Sequence, residues 1–366
     1  MIHTRQQLKA WRLQNLVETL LTDGTPHEKT RQLDYEIERG TESNSLMVYS
    51  AAQFGENAKV IGRFAPSPTG PLHIGNLRTA VIAWLCAHQR DGELLLRFED
   101  LDRANSKSEH EARQINDLAQ LGMTFGSNVI RQSERFDLYR EVVEGLRQQD
   151  LMYPCYCTRR EILESIQAPH GPTIEGAYAG TCRNLSARDR SEREQSGRPP
   201  AWRLRTNNET YVVDDLVAGP TITVIDDMVL LRNDGVPAYN LAVVVDDAEQ
   251  GVTQIVRGDD LLLGTGRHIH LQKLLGYPTP QYVHVPLVVG QDRERLAKRH
   301  GAVTLEELGQ RGIGSQEVLG ELARSIGSQI ERPQSVNDLR TDFSLERLPR
   351  SPWTIPTDWQ TVHHDN

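Results

Sequence analysis

The chain has 366 residues and a formal charge of −9, long enough for one large domain or two modest ones. Hydrophobic residues make up 38% and charged residues 25%, a globular composition, and the acidic balance excludes broad, charge-driven binding of nucleic acid. No stretch approaches the roughly 20 unbroken apolar residues that span a bilayer, and the polar start, with Arg5, Lys9, Arg12 and Glu18, lacks the apolar run of a signal peptide, so a cytoplasmic protein with no membrane partner is expected.

Residues 1–57 read as an extension and linker. Leu8, Trp11, Leu16 and Leu20 would line one helix face ending near Asp23-Gly24, and the polar remainder has little periodicity and a composition open to partial disorder. From residue 59 the pattern becomes orderly. A short strand is predicted at 59–64, followed by a turn forced by Pro66, Pro68, Gly70 and Pro71. A helix from about 72 places Leu77, Ala80, Val81, Trp84 and Leu85 along one face, and 93–98 reads as a second strand. Ser108 with Glu111 has the spacing of a capping box, opening a helix through Ile115, Leu118 and Leu121. Another helix is predicted at about 134–149.

This alternation predicts an α/β domain with a parallel sheet over 58–290. An irregular insertion is expected at about 153–205, and strands at 221–231, 239–245 and 254–257. Residues 291–366 read as a loop and a short helical C-terminal segment. Between Arg183 and Arg205 lie seven arginines, diluted by Asp189, Glu192 and Glu194, which suit either a solvated loop or a local basic face.

Of the four cysteines, Cys86 stands alone, whereas Cys155, Cys157 and Cys182 cluster. Without a secretory signal, such a cluster indicates metal binding before a disulfide. Tyr178 and His170 lie close enough in sequence to supply a fourth ligand.

The most informative segment is Arg63-Phe64-Ala65-Pro66-Ser67-Pro68-Thr69-Gly70-Pro71-Leu72-His73-Ile74-Gly75-Asn76. A strand ends, a rigid turn follows, and a helix begins at a histidine. Helix N-termini offer free N–H groups and partial positive charge, which favour phosphate. Gly75 lets a nucleotide approach the backbone, and His73 can donate to a phosphate oxygen. The plainer alternative is a proline-rich turn whose histidine only caps the helix. The whole segment, however, resembles the His-Ile-Gly-His signature of class I aminoacyl-tRNA synthetases in its glutamate-specific form, with Asn76 in place of the second histidine.

That resemblance implies a Rossmann-type catalytic domain that activates glutamate with ATP and Mg²⁺. A glutamate pocket needs two cations for the carboxylates and an anion for the ammonium. The matching positions are Arg63, Phe64, Ala65, Pro66 and Ser67, then Glu99, Tyr239 and Arg257, with Glu99 facing the ammonium and the two arginines facing the carboxylates. His73, Gly75 and Asn76 would contact ATP. The run Arg295-Leu296-Ala297-Lys298-Arg299-His300-Gly301-Ala302 resembles the second nucleotide loop of the class, with Lys298 steadying the pyrophosphate. His73, Asn76 and Lys298 are thereby the implied catalytic residues.

The Cys155-x-Cys157…Tyr178-x-x-x-Cys182 pattern resembles the zinc site of one branch of the family, implying one structural Zn²⁺. That pattern and the ending Leu348-Pro349-Arg350-Ser351-Pro352-Trp353 resemble glutamyl-queuosine tRNA(Asp) synthetases, as does the expected lack of an anticodon-binding domain. The branch implies tRNA-independent activation of L-glutamate, and transfer to queuosine in the anticodon stem-loop of tRNA(Asp), by a monomer. Two alternatives stay open: a fragment charging a tRNA 3′ end, against which the expected lack of an anticodon-binding domain argues, and a non-catalytic tRNA-binding paralogue, which the departures of Asn76, Arg295 and Ala297 from the class motifs keep open.

Overall fold

The computed structural model describes residues 46–49 (backbone only), 59–89, 91–126, 128–167, 178–296 and 303–359. The expected helix within the first 24 residues lies outside these, as do His170, Ala297 and Lys298. Strands β2 (Ile61–Phe64), β3 (Glu93–Phe98) and β4 (Ile130–Arg131) pair in parallel in that order. A second parallel set joins β10 (Gln254–Gly258), β11 (Gln281–Val285) and β7 (Thr210–Asp215), with β8 (Gly219–Val224) antiparallel on β7. Strand β1 (Leu46–Tyr49), inside the stretch read as a linker, runs parallel to β7.

β2 and β10 lie against each other, and the Thr253 N–H donates to the Ile61 carbonyl at 2.9 Å. From β2 the chain crosses through α1 (Ile74–His88) to β3, whereas from β10 it crosses through α7 (Thr265–Leu275) to β11 on the other side. The two units therefore wind outward from the β2/β10 boundary, the point at which open α/β sheets hold their ligands.

Several elements follow their patterning closely. Helix α3 (Phe136–Gln148) buries Tyr139, Val143 and Leu146, an i, i+4, i+7 stripe. Helix α1 is buried from Ala80 to Ala87 all round, because the sheet covers one side and the C-terminal segment the other. That segment, α8 (Leu305–Gln310), α9 (Ser315–Ser325) and the tail to Trp359, shares one apolar core with α1. It packs into the same core as the sheet and α1.

Other expectations are corrected. Residues 239–245 form no strand but the start of α6 (Tyr239–Glu249). An unbroken run of buried apolar residues, Leu241–Val245, carries no period that separates helix from strand. Helix α2 (Ser108–Gln120) does begin at Ser108, but no capping box opens it. Glu111 instead accepts from Arg131 at 2.8 Å. The strand read over 221–231 is broken into β8 and β9 (Val229–Leu231), and Asp226 and Asp227 occupy the break. The insertion is more regular than expected: β5 (Met152–Cys155), α4 (Arg159–Gln167), α5 (Ala187–Gln195) and β6 (Ala201–Leu204), with β5-β6-β9 antiparallel.

Candidate active site

The carboxyl ends of β2 and β10 open onto one cavity of about 440 Å³. Its walls include Arg63, Phe64, Ala65 and Pro66 after β2, His73, Gly75 and Asn76 at the start of α1, Glu99 after β3, and Tyr239 and Arg257. The structure thus collects nearly every described residue expected of the site. Ser67 is exposed and not part of the wall, its carbonyl accepting from Gln114 at 3.1 Å.

At the other end of the β2 turn, His73 is the N-cap of α1. Its Nδ1 accepts the N–H groups of Gly75 at 3.0 Å and Asn76 at 3.3 Å. Asn76 completes a capping box by accepting the His73 N–H at 3.2 Å. Burial, and then the nearby Arg295, lower the His73 pKa to about 4. The imidazole is therefore neutral near pH 7, with its proton on Nε2. Capping the helix and donating to a phosphate, read from the sequence as alternatives, are compatible in one ring. A Cβ on Gly75 would lie 2.9 Å from His73 Cε1, so glycine here makes room for the capping ring.

The described residues on either side of positions 297–302 are held by backbone hydrogen bonds. Leu296 N–H donates to the Val288 carbonyl at 3.3 Å, and Ile74 N–H to the Val303 carbonyl at 2.9 Å. Arg295 lines the cavity and pairs with Asp260 at 2.6 Å. The tail supports this wall: β13 (Trp353–Thr354) pairs in parallel with β12 (Val288–Val289).

The Glu99 end of the cavity is built on buried ion pairs that sequence reasoning missed. Arg97 is fully buried and holds Asp247 at 2.8 Å and Glu99 at 3.1 Å. Asp247 also accepts from Arg63 at 3.2 Å. Behind them, Asp246 accepts from Arg135 at 2.8 Å and Gln132 at 2.9 Å. Burial pushes the pKa of Glu99 up, while Arg97 and Arg63 pull it down. Both aspartates close the same α6 that opens with Tyr239, an organisation hidden while 239–245 is read as a strand.

Arg257 is held differently. Its Nε donates to His284 Nε2 at 3.0 Å, one amino group to His268 Nδ1 at 3.1 Å, and the other to Thr265 Oγ1 at 2.8 Å. Tyr239 OH lies 3.5 Å away. The β10/β11 register places Arg257 opposite His284, and Thr265 and His268 share one face of the first turn of α7. His284 presents its other nitrogen to Asp215 at 2.6 Å, and His268 presents its own to Asn240 at 3.0 Å. Burial depresses both histidine pKa values, so both rings stay neutral and accept from the guanidinium.

Apart from this cavity, Cys155, Cys157 and Cys182 bring their sulfurs within 4.8 Å of one another, an arrangement able to hold a metal ion. Tyr178 OH lies 3.4 Å from both Cys155 Sγ and Cys157 Sγ, and Cys157 Sγ lies 3.5 Å from Cys182 Sγ. The arginines that follow are partly spent on structure: Arg183 pairs with Asp227 at 2.5 Å, and Arg203 lies 3.7 Å over the Tyr178 ring.

Comparison with known proteins places these features. Residues 59–355 match the family described as tRNA synthetases class I (E and Q), catalytic domain. The chain is 50% identical, over 80% of its length and 92% of theirs, to a protein of Nocardia farcinica named glutamyl-Q tRNA(Asp) synthetase. It is 39% identical to glutamate–tRNA ligase 2 of Syntrophus aciditrophicus, over 79% of this chain and 62% of that protein. Among solved structures, a glutamate tRNA ligase from Elizabethkingia meningosepticum in complex with its amino acid superposes with a TM-score of 0.69 at 24% identity, over 82% of this chain and 68% of that one. That likeness supports the fold. Among the described residues, no helix is long and apolar enough to cross a membrane.

Proposed function

The chain belongs to the class I tRNA synthetases of the E and Q type, and on that premise we propose that it activates L-glutamate with ATP and transfers the glutamyl group to the queuosine base of tRNA(Asp). The observation that carries this reading is the 50% identity over 92% of a relative bearing the glutamyl-Q name, joined to a cavity with the charges glutamate requires.

Glu99 receives the substrate ammonium, whose charge favours the carboxylate form of Glu99 against its burial. Arg63 and Arg257 receive the carboxylates. The α-carboxylate then attacks the α-phosphorus of ATP, giving glutamyl-adenylate and pyrophosphate without tRNA. The partial positive charge at the start of α1, whose first N–H groups are already taken by His73 and Val303, and the Nε2 proton of His73 stabilise charge growing on the phosphate oxygens. The Asn76 amide adds a donor, Lys298 faces the pyrophosphate, and Mg²⁺ arrives with ATP. No covalent enzyme intermediate is needed; catalysis is positioning and charge stabilisation. In the second step a hydroxyl of the queuosine base attacks the activated carbonyl, and AMP leaves.

Cys155, Cys157, Cys182 and Tyr178 suit one zinc ion. Zinc–sulfur bonds of about 2.3 Å set tetrahedral ligand atoms roughly 3.7 Å apart, close to the 3.4 and 3.5 Å separations here. The Cys182 N–H donates to Tyr178 OH at 2.8 Å, which holds the phenol oxygen beside the Cys155 and Cys157 sulfurs. Bound there, the ion supplies a cross-link with no open position for water.

The test supplies labelled glutamate, ATP and Mg²⁺ with matched tRNA(Asp) samples carrying or lacking queuosine. Labelling of the queuosine sample alone is expected. Equal labelling of both would establish 3′-end charging instead, and no labelling of either would point to a non-catalytic paralogue.

A further inference from the structure

The two halves of the amino-acid end differ in charge balance. Around Glu99, the guanidiniums of Arg63, Arg97 and Arg135 face the carboxylates of Glu99, Asp246 and Asp247, so this half is neutral. Arg257 makes no ion pair among the described residues. Its hydrogen-bond partners are two imidazoles, a threonine hydroxyl and a phenol, and its guanidinium lies 5.5 Å over the uncharged Tyr282 ring. Asp215 stands one residue further back. It accepts the N–H groups of Val217 at 2.9 Å and Ala218 at 2.7 Å as well as His284. A guanidinium has five N–H groups, and four are engaged by these partners. The fifth, and the Tyr239 hydroxyl proton, remain for a ligand in the cavity that both residues line.

We propose that Thr265, His268 and His284 form a neutral socket that sets amino-acid specificity, holding Arg257 in place without cancelling its charge and so reserving it for the side-chain carboxylate of glutamate. The proposal rests on the reading of this cavity as a glutamate-activating site. Glutamate in its zwitterionic form carries one net negative charge and glutamine none. A neutral half that takes the ammonium and α-carboxylate, plus one uncompensated cation, matches the first and not the second. Against glutamine, Arg257 would stay buried with its charge unanswered, which is the costly outcome in a desolvated site. Asp215 acts at one remove: accepting the His284 Nδ1 proton leaves Nε2 as the lone pair that Arg257 needs. These are positioning residues, since each acts through Arg257.

The decisive comparison is His268→Asn against His268→Asp. The two replacements have the same size, and each puts an oxygen near the place of Nδ1, but only the second brings a charge that cancels Arg257. Both lose the bond to Asn240. ATP–pyrophosphate exchange is measured with glutamate and with glutamine, varying amino acid and ATP separately. His268→Asn is expected to weaken use of both amino acids while keeping their kcat/KM ratio within about tenfold of the parent. His268→Asp should lower that ratio by about 100-fold through the KM for glutamate, leaving the KM for ATP unchanged. Equal ratios in the two variants would overturn the socket while the parent still activates glutamate. A parent enzyme with no glutamate-dependent exchange would overturn the functional reading as well. Should either His268 variant fail to fold, judged by its melting curve, the same Asn and Asp pair at Thr265 decides by the same ratio.

Discussion

Two buried arginines of similar appearance have opposite energetic roles. Arg97 is the counter-ion of Asp247 and Glu99 and lies beside Asp246. Replacing it by methionine leaves the three carboxylates of Glu99, Asp246 and Asp247 with only Arg63 and Arg135 as counter-ions, and one buried charge left unanswered costs about 3–5 kcal/mol. Arg257→Met removes the same charge from neutral partners, and unmade hydrogen bonds there cost roughly 1–3 kcal/mol. We therefore expect Arg97→Met to lower the urea midpoint of unfolding markedly more than Arg257→Met. The latter should fold and lose glutamate activation by at least about 100-fold. Equal destabilisation, or near-normal exchange by Arg257→Met, would contradict the assignment. His73 adds a pH dependence. Its imidazole takes a proton near 6.5 when unfolded and at about 4 in the fold. Between those values the unfolded chain holds more protons, so the cap's contribution is intact above about 6.5 and fades as pH falls toward 4. Unfolding titrations at pH 7 and pH 5 should show a smaller acid loss for His73→Asn, which keeps a capping acceptor but has nothing to titrate. The same loss in both proteins would remove His73 from the acid response.

Among the elements, the start of α1 is where the proposed nucleotide contacts gather. Gly75→Ala would push a methyl into the His73 ring, displacing the cap and the Nε2 donor together. The expected result is a KM for ATP raised about tenfold with little change in the KM for glutamate. An equal rise in both would mean that the helix, rather than the ring, had moved. This element was legible in the sequence because its proline, glycine and histidine spacing encodes local backbone geometry. The same holds for β2, β3, α3 and the cysteine cluster. Helix α6 was not legible: Leu241–Val245 is apolar without interruption, since its surroundings bury it on every side, and neither period can show. Losing that helix hid Asp246 and Asp247, which reach the site only because α6 carries them there. His268, His284 and Asp215 escaped for another reason. Their partnership with Arg257 depends on strand register and crossover, which bring together residues 11 and 27 positions from Arg257 and leave no local spacing to read.

On the scale of the molecule, the C-terminal segment behaves as part of the catalytic wall. Arg78 of α1, buried, donates to Ser325 Oγ at 3.1 Å and to the Pro286 carbonyl at 2.8 Å. It thereby ties α9 and the cavity strand to the nucleotide helix. Beyond α9, Trp353 N–H donates to the Leu287 carbonyl at 3.0 Å and Ile355 N–H to the Val289 carbonyl at 3.1 Å, while Trp359 is buried against the same core. Leu287 and Val288 line the cavity on their other side. Removing residues 353–366 would strip β12 of its partner and expose the seat of Trp359, a large side chain whose loss alone costs about 3–5 kcal/mol. The truncated chain should melt well below the full one. Where it remains folded, its KM for ATP should rise several-fold more than its KM for glutamate, because the wall it weakens adjoins Arg295 and Leu296 rather than Glu99. Unchanged ATP kinetics in a folded truncate would confine the tail to stability. A selective ATP defect would show that the tail from Trp353 onward supports the proposed nucleotide site from behind.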